Sequence, residues 1–107
     1  MRRGSLYRME RTDFPELLEG LIQAKFGSRR LFIEKAQPEA NKAGALSYLS
    51  QVLTRKRPPP PEHLTPWADA LGLKGMKREE FLILAALEHI PAALRDRVRD
   101  VYEKTVR

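Results

Sequence analysis

Ser28-Arg29-Arg30-Leu31-Phe32-Ile33-Glu34-Lys35-Ala36, then Leu46-Ser47-Tyr48-Leu49-Ser50-Gln51-Val52-Leu53, then Arg55-Lys56-Arg57 before Pro58, is the stretch on which the fold turns. Ser28 has the side chain of a helix cap, and Leu31, Phe32, Ile33 and Ala36 follow at helical spacing. Pro38 stops that helix, because the residue before a proline is driven out of the α region. Gln37 to Gly44 shows no period and is predicted as a turn. Leu46, Leu49, Val52 and Leu53 then place one apolar face on a further helix that ends near Arg57. Pro58 to Pro61 impose an extended connection, since each fixes φ and lacks a backbone donor.

The same spacing continues on both sides. Asp13-Phe14-Pro15-Glu16 reads as a helix start, with an acidic cap, a first-turn proline and a glutamate three residues after the cap. Phe14, Leu17, Leu18, Leu21 and Ile22 form its stripe, and Gly27 closes it. Leu64, Trp67, Ala68 and Leu71 predict a fourth helix closed by Gly72, with Trp67 in the core. Phe81, Leu82, Leu84, Ala85 and Leu87 predict a fifth over Lys77 to Ile90. Pro91 starts a sixth, with Leu94, Val98, Val101 and Tyr102 expected inward. Strand-like alternation is never sustained. The chain reads as all-α, with five to six helices.

Composition sets the class. The 107 residues suffice for one core, and 42% apolar with 32% charged residues favours folding over disorder. There are no cysteines, hence no disulfide framework and no thiolate metal site, which fits a cytoplasmic setting. No apolar run approaches the roughly 18 residues of a membrane span. No signal peptide is visible. Residues 1–12, with Arg2, Arg3, Arg8 and Arg11, are expected to form a flexible arm.

Charge is localised. Lys25 to Arg57 carries eight Lys and Arg against Glu34 and Glu39, which equals the whole formal net charge of +6. The flanks are balanced. A basic segment between neutral ones points to a polyanion, since phosphates attract localised positive charge without regard to sequence. Catalysis finds little support. His63 and His89 stand at no ligand spacing, and no phosphate loop, nucleophile elbow or carboxylate pair appears. Asp96 and Asp100, interspersed with Arg95, Arg97 and Arg99, read as a solvated, salt-bridged face. Neither an enzyme nor a cofactor nor a small-molecule substrate is expected.

Ser28 to Ala36, Tyr48-Leu49-Ser50-Gln51-Val52 and Lys56-Arg57 before proline together resemble the lambda-repressor/Cro-like (XRE-type) helix-turn-helix family. Trp67-Ala68-Asp69-Ala70-Leu71-Gly72-Leu73 resembles the fourth helix of that fold. The resemblance covers about residues 14–73, so 13–73 is expected as the DNA-binding core and 74–107 as helices that complete it or dimerise. Ala36 and Tyr48 lie further apart than the family usually shows, which implies an extended turn. The resemblance implies duplex DNA as partner and a sequence-specific transcriptional regulator. It implies phosphate contacts at Ser28, Arg29, Arg55, Lys56 and Arg57, to which Lys42 in the enlarged turn is added. It implies base contacts at Ala45, Leu46, Ser47 and Gln51. Gln51 also qualifies by type, because a carboxamide pairs bidentately with adenine. A homodimer through the fifth or sixth helix is expected. The alternative is an adaptor, antitoxin-like or polymerase-associated, that uses the bundle to bind protein.

Overall fold

The computed structural model describes residues 12–105, which form six helices and no strand. The expected N-terminal arm lies outside the described residues except for Thr12. In chain order the helices are α1 (Phe14–Lys25), α2 (Arg29–Ala36), α3 (Lys42–Leu53), α4 (Pro61–Ala70), α5 (Gly75–Leu87) and α6 (Ala92–Thr105). None is long and apolar enough to cross a membrane. α1 touches α2, α3 and α5, while α4 closes against α2 and α5. One core results, built on Phe14, Leu18, Ile22, Phe32, Ile33, Leu49, Val52, Trp67, Phe81 and Leu84. α5 belongs to that core.

Local chemistry explains the boundaries. The Asp13 amide donates to Glu16 Oε1 at 3.5 Å, and Pro15 sits in the first turn of α1. Ser28 Oγ accepts from the Leu31 amide at 3.1 Å, which starts α2 as expected. The turn after it is shorter than the sequence suggests. Asn41 Oδ1 accepts from the Gly44 amide at 2.9 Å, so α3 begins at Lys42 rather than beyond Gly44. Residues 37–41 alone form the turn, and the extra length lies in the front of α3. Asn41 and Gly44 look like turn formers, yet asparagine is also among the best helix caps.

α3 ends in a Schellman motif. The Lys56 amide donates to Gln51 O at 2.9 Å and the Arg55 amide to Val52 O at 3.1 Å. That motif needs a left-handed residue, normally glycine, and Arg55 fills it with φ 62°. Pro61 opens α4 rather than extending the connection, which is favourable because a first-turn amide has no helical partner anyway. Pro66 lies inside α4, where its missing N–H leaves only the exposed first turn short of a bond.

α6 reverses the expectation made for it. Leu94, Val98 and Val101 face solvent, and Arg99 is buried at 7% exposure. Among the described helices, the backbone of α6 approaches α5 alone. Arginines dock it. Arg95 Nε donates to Leu87 O and its Nη2 to Ile90 O, both at 3.1 Å, which ties α6 to the last residue of α5 and to the turn after it. Arg99 Nε donates to Glu103 Oε2 at 3.1 Å, and its Nη1 stands 3.6 Å from Asp13 Oδ1.

Candidate nucleic-acid interface

α3 presents an open face opposite Leu49 and Val52. Helical register puts Ala43, Gly44, Ser47, Ser50 and Gln51 on that side, and the first three are exposed. Gln51 Nε2 donates to Ser47 Oγ at 3.4 Å, so the two polar side chains expected near bases stand together. Ala45 and Leu46, also expected at base edges, instead pack against the core. Their displacement follows from the early start of α3: both lie a turn inside the helix, on the flanks of the Leu49 stripe. Lys42, expected in a loop, occupies the exposed first helical position. Ala43 and Gly44, expected in the turn, join that exposed face because the Asn41 cap starts α3 at Lys42.

The turn before α3 is anchored at its first residue. Trp67 Nε1 donates to Gln37 Oε1 at 3.0 Å, tying residues 37–41 to α4. Glu34 and Glu39 are exposed and, among the described residues, form no ion pair with the basic segment.

The six residues expected on phosphates divide into two groups. Arg29 is matched internally: its Nε donates to Glu19 Oε1 of α1 at 3.1 Å. Arg55 is matched twice. Its Nε and Nη2 grip Glu88 Oε1 and Oε2 at 3.2 and 3.0 Å, and Nη2 also lies 3.1 Å from Asp13 Oδ2. The hydrogen bond that Arg55 donates to Glu88 raises the Arg55 pKa above its ordinary value against the opposing effect of burial, and the Glu88 and Asp13 charges add to the rise. A phosphate would meet a guanidinium whose Nε and Nη2 are already engaged by two carboxylates. Ser28 Oγ accepts from a backbone amide and keeps only its hydroxyl proton to donate.

Lys42, Lys56 and Arg57 form the other group. All three are exposed, and no carboxylate among the described residues pairs with them. Arg57 is positioned by an aromatic ring, its Cζ lying 4.6 Å from the Tyr48 centroid. Behind Tyr48 the rings continue inward through His63 at 5.6 Å and Trp67 at 5.9 Å to Phe32 at 6.0 Å. His89 fixes the proline connection, with Nε2 2.7 Å from Pro59 O; because that partner is a carbonyl, Nε2 carries the proton. No protein family, curated protein or solved structure matches the chain.

Proposed function

We propose that this chain is a sequence-specific DNA-binding transcriptional regulator of lambda-repressor-like fold, with α2 and α3 as its helix-turn-helix. The observation that carries the reading is the placement of unmatched cations at both ends of α3 beside an uncovered, small-residue face. A helix of this length spans about 18 Å, and the major groove is about 12 Å wide. Lys42 at one end and Lys56 with Arg57 at the other therefore overhang the groove toward its phosphate walls. Ala43, Gly44 and Ser47 let the backbone come close to base edges, where Gln51 and Ser47 supply the polar groups. The adaptor reading needs the basic ridge covered or the turn folded over α3. The exposed Glu34 and Glu39 and the Trp67–Gln37 bond weigh against both.

The deciding experiment is anisotropy of a labelled random duplex titrated with protein from roughly 50 to 300 mM salt. Affinity should fall steeply with salt. Flat, negligible binding would leave the bundle as a protein-binding scaffold. Two substitutions refine the test. Arg57→Ala should weaken binding to every duplex and lower the salt slope by about one unit. Gln51→Ala should change the ranking of duplex sequences, read by competition among defined sites; equal loss on all of them would remove Gln51 from base reading.

A further inference from the structure

Arg57 differs from Arg29 and Arg55 in what meets its charge. Arg29 commits Nε to Glu19, and Arg55 commits Nε and Nη2 to Glu88 and Asp13. Arg57 lies over an aromatic ring instead, with Cζ 4.6 Å from the Tyr48 centroid, and no carboxylate among the described residues pairs with it. A carboxylate fills N–H donors with its lone pairs. A ring face attracts the cation through its quadrupole and leaves those donors to an outside acceptor. Both members of the contact are also held in place. Tyr48 is half-buried on α3, with His63 of α4 edge-on at 5.6 Å and Trp67 behind that ring at 5.9 Å. On the other side, the left-handed Arg55 turns the chain, and the Lys56 amide is tied to Gln51 O at 2.9 Å. Pro58 fixes the next φ, and the carbonyl of buried Pro59 lies 2.7 Å from His89 Nε2. Arg57 leaves a restrained backbone and lands on a restrained ring.

We propose that Tyr48 is the positioning residue of a phosphate clamp, holding the Arg57 guanidinium ready to clasp the two free oxygens of one DNA phosphodiester. The proposal rests on the DNA-binding reading and says which group of that site is prepared in advance. A guanidinium fork matches a pair of oxygens bidentately, which an ammonium cannot do. A free arginine side chain loses rotamer freedom when it binds. Arg57 has given up part of that freedom on the ring before any phosphate arrives. Lys56 beside it is exposed and lies over no described ring. The two neighbours then differ in strength although they carry equal charge.

The test is a double-mutant cycle read by anisotropy of a labelled random duplex, beside the proton spectrum of the free protein. Tyr48→Leu removes the ring and keeps every charge. Affinity should fall about fivefold at fixed salt, while the salt slope stays at the wild-type value. Tyr48→Phe should restore wild-type affinity, because the ring face acts and the hydroxyl does not. In the Tyr48→Leu background, Arg57→Ala should cost about fivefold less than in the wild type, since the ring works through that guanidinium. Arg57→Lys, at an exposed position that leaves the fold intact, should also lose affinity several-fold with the slope kept, about as the loss of one bidentate contact requires. Without DNA, the Arg57 side-chain protons should carry a ring-current shift that Tyr48→Phe keeps and Tyr48→Leu abolishes. Additive losses in the cycle would overturn the proposal, as would wild-type affinity in Arg57→Lys. Tyr48→Phe binding as weakly as Tyr48→Leu would overturn it too and give the contact to the hydroxyl. Salt-dependent binding that Tyr48→Leu leaves unchanged overturns the clamp alone. Flat, negligible binding by the wild type overturns the DNA-binding reading and the clamp with it, even where the ring-current shift is present.

Discussion

Trp67→Ala should destabilise the protein by about 4 kcal/mol, the cost typical of emptying a buried aromatic site. Trp67 is 1% exposed and meets Phe32 edge-on at 6.0 Å, so the cavity would open at the junction of α2 and α4. Its indole N–H also holds Gln37, and the loss would release the turn that precedes α3. A domain near 100 residues loses roughly 4–8 °C of Tm per kcal/mol, which predicts a drop of about 20 °C. Trp67→Phe separates the two contributions. It keeps most of the packing but leaves Gln37 Oε1 without its donor, at about 1 kcal/mol. Thermal and denaturant melts measure both. A Trp67→Ala protein that melts within a few degrees of the wild type would contradict the central place given to this ring.

Arg55→Ala should cost about 2 kcal/mol, between the worth of an exposed ion pair and that of a buried one. The Arg55 side chain is 40% exposed, but that of Glu88 is only 7% exposed and would be left without its bidentate partner. Alanine also keeps the left-handed backbone under strain. Arg55→Gly loses the same ion pairs but relaxes φ, so it should be more stable than Arg55→Ala by about 1 kcal/mol. A raised arginine contributes its stabilisation at every pH below its ordinary value and loses it only as pH climbs through the raised one. Arg55 therefore adds no pH dependence near neutrality.

The same substitution distinguishes two roles in DNA binding. The basic run Arg55-Lys56-Arg57 suggests three equivalent phosphate contacts, and then Arg55→Ala should lower the salt slope by about one unit. The ion pairs to Glu88 and Asp13 predict otherwise: affinity falls with stability while the slope stays near the wild-type value. A slope reduced as far as that of Arg57→Ala would return Arg55 to the phosphate set.

These residues show where sequence reading succeeds. Leu49, Val52, Trp67 and Phe81 announce their burial through spacing, because a helix repeats its faces every 3.6 residues whatever surrounds it. Ser28 and Asp13 announce helix starts through local hydrogen bonds. Those are short-range properties. The start of α3 was ambiguous, because asparagine and glycine serve turns and caps alike and the choice rests on one side-chain bond. The left-handed Arg55 carried no signal, since glycine is the usual occupant of that place.

The candidate site was legible in kind and only partly in detail. The sequence by itself determined an all-helical chain, its core and a basic middle third. It could not tell which of the basic residues remain unmatched. That depends on Glu19, Glu88 and Asp13, which are distant in sequence from one or more of their partners and meet them only when α1, α2, α3 and α5 pack. The tertiary structure likewise turned α6 over. Apolar period alone sends Leu94 and Val98 inward, but the Leu87 and Ile90 carbonyls and the carboxylate of Asp13 hold Arg95 and Arg99 there instead. Helical register is a property of neighbours along the chain, whereas charge compensation is a property of neighbours in space.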